Sequence, residues 1–139
     1  EYIIPIGVAD IKREGSDVTV VSFGKIIKEA YKAADELAKE NISIEIIDLR
    51  TVRPMDLDAI LASVKKTNRL VILEEAWPFG SVSSEITFRI QDQGFDYLDA
   101  PIKRITTADT PAPYSPVLLE EWLPNASDVV KAVKEVLYL

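Results

Sequence analysis

Two pairs of adjacent acids, Glu74-Glu75 and Glu120-Glu121, come nearest in this chain to a spacing suited to acid–base chemistry. Carboxylates that act together must converge on one point. Neighbours at the end of an extended segment instead point to opposite sides, so both pairs read as caps, ion-pair partners or solvated ends. Arg50 and Arg53 beside a strand end offer guanidiniums to an anion, but with 23 acids to 16 bases the expected use is internal ion pairing. Ser22-Phe23-Gly24-Lys25 stands where a phosphate-binding turn would be. It has one glycine and matches neither the dinucleotide fingerprint nor the P-loop. The 139 residues include no histidine and no cysteine, which removes thiol catalysis, disulfides, histidine-ligated metals and every histidine base. A net charge of -7 argues against nucleic acid and against attachment to an anionic membrane. No apolar run approaches the roughly twenty residues of a membrane span. No catalytic constellation is left.

What is left is aromatic. Leu70-Val71-Ile72-Leu73 runs into Glu74-Glu75-Ala76 and then the turn Trp77-Pro78-Phe79-Gly80. Unalternating aliphatics suit a strand covered on both faces, as in a parallel sheet. Working loops in such sheets follow the carboxyl ends of strands. An exposed Trp-Pro-Phe turn costs solubility unless something covers it, and aromatic residues anchor protein interfaces. The competing expectation is that Trp77 packs on the chain's own proline-rich loop, and Trp122 near Pro124 raises the same choice.

The elements that must position this turn follow from hydrophobic period. Residues 1–8, with Pro5 and Gly7 among aliphatics, read as an extended linker arm, and residues 9–139 as one domain. Because the chain opens on Glu1 rather than methionine, a fragment of a longer protein is expected. Ala9 to Arg13 alternates as an edge strand does, and Val18 to Ser22 is a buried strand. Ile27, Ala30, Tyr31, Ala34, Leu37 and Ala38 make one helical stripe, with Lys32–Glu36 and Asp35–Lys39 as i, i+4 pairs and Asn41 closing in a left-handed turn. Ser43 to Leu49 is the next strand. Asp56 caps a helix carrying Leu57, Ile60, Leu61 and Val64, which Asn68 ends. Leu70 to Glu74 forms the central strand, and Ser81 to Gln93 a helix burying Val82, Ile86 and Ile90. Gly94 to Ala100 is a loop, Pro101 to Thr107 a short edge strand, and Asp109 to Pro116 a stiff proline-rich loop. Val117 to Trp122 makes a helical turn, and Asn125 caps a last helix with Val129, Ala132, Val133, Val136 and Leu137 on one face. Strands alternating with helices predict a three-layer α/β/α domain on a mostly parallel sheet.

Several of these segments occur in the order and spacing of one family: Glu1 to Gly7, Leu49-Arg50-Thr51-Val52-Arg53-Pro54-Met55-Asp56, Ser63 to Val71, Glu74-Glu75-Ala76-Trp77-Pro78, Gly80 to Ile86, Asp99-Ala100-Pro101 and Asp109 to Tyr114. The chain resembles, over essentially its whole length, the carboxy-terminal domain of the β subunit of pyruvate dehydrogenase E1. The resemblance implies a transketolase C-terminal fold: a five-stranded mixed sheet in the order 1-3-2-4-5 with the first strand antiparallel. It implies a whole enzyme that uses thiamin diphosphate and Mg²⁺ to decarboxylate a 2-oxo acid and acetylate the lipoyl group of E2. In that family the cofactor lies between the E1 α subunit and the amino-terminal domain of β, so neither catalytic, cofactor nor metal residues are expected here. The domain is expected to support assembly with the E1 α subunit, a second E1 β subunit and the E2 peripheral subunit-binding domain. The interface candidates are Trp77, Pro78, Phe79, Tyr114, Trp122 and Leu139. The resemblance further implies the bacterial cytoplasm, or the mitochondrial matrix in a eukaryote. Pro54-Met55-Asp56 and Glu75-Ala76-Trp77-Pro78 resemble the pyruvate enzyme more than the branched-chain one. The same domain of a branched-chain 2-oxo acid or acetoin enzyme is the near alternative. A freestanding α/β ligand-binding module using the switch-point crevice is the distant one.

Overall fold

In the computed structural model, which describes residues 2–139, β-branched and aliphatic runs become strands and the 3.6-period stripes become helices. In chain order these are β1 (Asp10–Arg13), β2 (Val18–Ser22), α1 (Ile27–Ala38), β3 (Ile44–Asp48), α2 (Leu57–Thr67), β4 (Leu70–Leu73) and α3 (Val82–Gly94). A 3₁₀ turn at Phe95–Tyr97, β5 (Lys103–Ile105), α4 (Pro116–Trp122) and α5 (Ala126–Leu137) complete the chain. The sheet order is β1-β3-β2-β4-β5, with β1 antiparallel to β3 and all other pairs parallel. The expected order and the antiparallel first strand are both present.

Side chains of β2, β3 and β4 alternate between two apolar layers. Val18, Val20, Ile44, Ile46, Val71 and Leu73 pack under α1 and α5, while Val21, Ile47, Leu70 and Ile72 pack under α2 and α3. Each fully buried aliphatic contributes about 1.5–3 kcal/mol, and a helix layer on each face explains why β4 reads as unbroken hydrophobe. The edges are handled differently. β1 carries a register shift between Ile11 and Arg13, and β5 is three residues long with two bases, both devices that blunt an edge. The expected strands at 9–13 and 101–107 are therefore shorter than read, because only part of each finds a ladder partner.

Capping follows the sequence closely. Asp56 accepts from the Ala59 amide at 3.1 Å, Asn68 closes α2 at φ 61°, and Asn41 turns the chain after α1 at φ 61°. Asn125 and Asp128 form a reciprocal capping box on α5. Four expectations are corrected. Ala33, not Ala38, completes the buried stripe of α1, because the helix presents the 26–30–33–37 side to the sheet. Lys32 pairs with Glu29 rather than Glu36, and Asp35 with Arg13 of β1 rather than Lys39. Tertiary neighbours and a shorter i, i+3 reach displace those i, i+4 pairs. The 94–100 segment is not all loop, since Phe95–Tyr97 continues α3 as a 3₁₀ turn. Val82 is partly buried and packs against the α2–α3 layer as expected, while Ser83 beside it is fully buried against Glu74.

Residues 2–8 form no regular element, but their end is pinned. The Gly7 amide donates to Thr51 Oγ1 at 3.1 Å and the Ala9 amide to Asp56 Oδ2 at 2.8 Å. One Asp56 carboxylate thus caps α2 and holds the arm. Beyond these contacts Tyr2, Ile3, Ile4 and Ile6 are exposed.

Candidate functional site

The carboxyl end of β4 becomes a turn whose every support comes from another element. Glu74, fully buried, receives the Ser83 amide at 3.3 Å on Oε1 and 3.2 Å on Oε2, so its carboxylate caps the first turn of α3. Glu75 points the other way into solvent, as alternation requires. Glu74 is structural, and the cap is what its carboxylate is for. Downstream, the Thr107 amide donates to the Ala76 carbonyl at 3.0 Å, and Arg104 Nη1 reaches the Pro78 carbonyl at 3.0 Å and Ser84 Oγ at 2.7 Å. The extension of β5 therefore grips the turn along its length.

Two indoles complete the arrangement. Trp77 Nε1 and Trp122 Nε1 each donate to the Thr110 carbonyl at 2.9 Å, and the Ala108 amide donates to the Trp122 carbonyl at 3.1 Å. The carbonyl's two lone pairs are thereby shared between the β4 turn and α4, which ties the proline-rich loop between them. Trp77 thus binds its own proline-rich loop by one edge, while 52% of the residue remains in solvent. Phe79 is 91% exposed, Tyr114 is fully exposed, and Val117 and Leu118 on α4 are exposed beside them. Trp77, Pro78, Phe79, Tyr114 and Trp122 thus share one end of the domain.

Leu139 does not join them. α5 begins beside the carboxyl ends of the strands and runs back, so that Arg69 Nε, just before β4, meets the Val136 carbonyl at 2.9 Å. Leu139 is exposed at the opposite end of the molecule. The exposed aromatics Phe88 on α3 and Phe95, seven residues on in the 3₁₀ turn that follows it, were not singled out from sequence. Their spacing was the available signal.

The pairing expectation holds for Arg50 but not for Arg53: Arg50 Nη2 bonds Asp10 Oδ2 at 2.5 Å, with Lys12 on the same oxygen at 2.5 Å, while Arg53 is exposed and makes no ion pair among the described residues. The Asp10 carboxyl is held below its usual range, first by its hydrogen bond with Lys12, with burial opposing and Arg50 adding to the effect. At the amino ends of the strands, Glu45 of β3 is buried against Lys66. Burial pushes its carboxyl up, but the hydrogen bonds from Lys66, Ser63 and the Gly15 amide outweigh it and leave the group below the ordinary carboxylate value. Beside it, Thr19 Oγ1 meets Ser63 Oγ at 2.6 Å and Thr67 Oγ1 at 2.7 Å, inside the α2 layer. Sequence reading passed over this polar group because Thr19 sits in an ordinary strand pattern. Among the described residues no group of three or more histidines, cysteines or acids is placed to hold a metal ion, and no helix is long and apolar enough to cross a membrane.

The candidate site, then, is a braced aromatic surface, and the comparisons with known proteins agree on the scaffold that carries it. The family profile "Transketolase, C-terminal domain" matches residues 7–129. The chain is 53% identical to the pyruvate dehydrogenase E1 component subunit beta of Rhizobium meliloti (strain 1021) over 99% of this chain and 30% of that protein. It is 48% identical to the acetoin:2,6-dichlorophenolindophenol oxidoreductase subunit beta of Bacillus subtilis (strain 168) over 98% of this chain and 40% of that one. A solved structure described as a split-gene transketolase, inactive β4 tetramer, superposes with a TM-score of 0.85 at 27% identity, covering 100% of this chain and 44% of its own. The chain thus spans less than half the length of these proteins, and it belongs to the transketolase C-terminal domain family.

Proposed function

We propose that this chain is the carboxy-terminal domain of the β subunit of a thiamin diphosphate-dependent pyruvate dehydrogenase E1, where it builds subunit contacts and carries no reacting group. Residues 1–8 then join it to a preceding domain, and the exposed Tyr2–Ile6 segment is the side that domain covers. The observation that carries the assembly role is the uncovered Trp77, Phe79 and Tyr114, carried on a turn whose Trp77 indole is tied to the Thr110 carbonyl and whose Pro78 carbonyl is tied to Arg104. An indole already fixed at its nitrogen, as Trp77 is, loses little conformational freedom on docking. The partners on this reading are the E1 α subunit, a second E1 β subunit and the peripheral subunit-binding domain of E2, in the bacterial cytoplasm or the mitochondrial matrix.

Thiamin diphosphate and Mg²⁺ would be held by the rest of the enzyme. The buried acid nearest the aromatic turn, Glu74, is already committed to the Ser83 amide, and the described residues offer no metal-ligand cluster. This chain therefore does not fit the cofactor, and no step is assigned through it. The test is association: Phe79→Asp in the full-length β subunit should weaken α/β assembly in sedimentation velocity while the thermal unfolding of this domain stays unchanged. Unaltered assembly would remove the aromatic turn from the interface. The relative from Bacillus subtilis supports a second reading, an acetoin-oxidising enzyme. Comparing kcat/KM of the complete enzyme for pyruvate and acetoin separates the two.

A further inference from the structure

At the carboxyl ends of the strands β2 and β4 part company, β2 continuing into α1 on one face of the sheet and β4 into α3 on the other. Ligands of open α/β sheets enter at such a reversal. Here the gap is a crevice of about 560 Å³, within the roughly 300–1,000 Å³ of small-molecule sites. Its floor is apolar, made by Ile26, Leu119, Leu123 and Pro124. Its walls are charged: Lys25 and Lys28 on the α1 side, Glu75 and Glu120 facing from the β4 turn and α4. None of these four takes part in an ion pair among the described residues. Glu29 on the same wall is already spent on Lys32 and the Ala126 amide.

The backbone leading into Lys25 is also approachable. Gly24, at φ +71°, has nothing within 4 Å of the place a Cβ would occupy. Two residues earlier, Ser22 holds the one buried side-chain nitrogen or oxygen among the described residues with no hydrogen-bond partner. By strand alternation with Val18 and Val20 it faces the α1 layer, the side on which the crevice opens.

Two uncommitted charges of each sign around an apolar floor select a ligand. A polyanion would meet Glu75 and Glu120, and a neutral hydrocarbon would leave four charges unanswered. We propose that the crevice binds a small apolar zwitterion of amino-acid to dipeptide size, its carboxylate on Lys25 and Lys28 and its ammonium toward Glu75 and Glu120. The crevice adjoins the aromatic surface through the β4 turn and α4 but uses none of its aromatic residues, and its ligand is independent of the assembly role.

The probe is L-leucyl-L-leucine, titrated into the 139-residue chain by calorimetry and by amide chemical-shift mapping. Saturable millimolar or tighter binding is expected, with shifts confined to Gly24–Lys28, Glu75 and residues 119–125. The N-acetyl and the C-amide forms should each bind about tenfold more weakly, as should the parent dipeptide to Lys28→Glu and to Glu75→Lys. Both substitutions are at exposed, unpaired positions, and unchanged circular dichroism confirms that the variants fold. Absence of saturable binding, shifts elsewhere on the domain, or equal affinity for the doubly blocked dipeptide would each overturn the proposal.

Discussion

Trp77 and Trp122 share a single acceptor: both indole nitrogens lie 2.9 Å from the carbonyl oxygen of Thr110. The β4 turn and α4 are thereby joined through one backbone atom of the loop between them. Loss of either indole leaves the carbonyl with one donor, whereas loss of both leaves a turn, a loop and a helix without their common tie. Trp77→Phe and Trp122→Phe should each cost about 1 kcal/mol, and the double variant should cost at least 0.5 kcal/mol more than their sum, an order-of-magnitude coupling typical of residues in contact. Urea unfolding of the four proteins measures it. Strict additivity would mean the two bonds hold nothing in common.

Glu74 replaces a conventional side-chain N-cap, since Ser81, the residue before α3, makes no capping bond. Glu74→Ala should destabilise the domain by about 1–3 kcal/mol by orphaning the buried Ser83 amide. Glu74→Gln, which keeps one acceptor, should cost less. Equal losses would assign the cost to cavity formation instead.

The Glu45–Lys66 pair gives stability a defined acid dependence. Glu45 titrates below its ordinary 4.5 in the folded chain, so the unfolded state binds the proton first as pH falls. Its contribution is complete above the unfolded value and disappears as pH drops through the folded one. The partner Lys66 is raised above 10.5, chiefly by its hydrogen bond to Glu45; its contribution is complete below that value and is lost as pH climbs through the folded one. Melting temperature should therefore fall below about pH 4.5, and Glu45→Gln should flatten that limb. An unchanged acid limb in the variant would place the dependence in other carboxylates.

Gly15 and Gly24 make a matched pair for backbone tests. A Cβ on Gly15 would sit 2.2 Å from the Ile44 carbonyl carbon and 2.3 Å from the Glu45 amide, where only main chain stands to give way. Gly15→Ala should cost upwards of about 4 kcal/mol, in the exceptional range for point changes. Gly24→Ala meets open space at φ +71° and should cost only the roughly 1–2 kcal/mol of a left-handed non-glycine residue. Thermal unfolding ranks them, and a reversed order would contradict the packing of the β1–β2 turn on β3.

Most of the scaffold was readable because each element declares itself locally. Leu70-Val71-Ile72-Leu73 has no polar position and becomes the doubly covered β4. Asp56, Asn68 and Asn125 mark helix ends by their own side-chain or backbone chemistry. Sheet order came from family resemblance, since local pattern does not say which strands are neighbours. What escaped was long-range. Arg13 takes Asp35 from its helical neighbour because β1 lies beside α1's outer side. Trp77 finds Thr110 only once β5 has been laid next to β4. Of the six interface candidates five converge, and Leu139 stands apart because α5 runs antiparallel to the central strands.

The hydroxyls of Thr19, Ser63 and Thr67 have a consequence for how the layers are registered. Valine and isoleucine surfaces are greasy enough to slide over one another by a residue at modest cost, but these three oxygens satisfy each other in one alignment of α2 over β2. A slip of one position would break both bonds to Thr19 and leave its hydroxyl facing hydrocarbon. They act as a locating pin, which lets the aliphatic residues around them vary in shape while the helix keeps its seat.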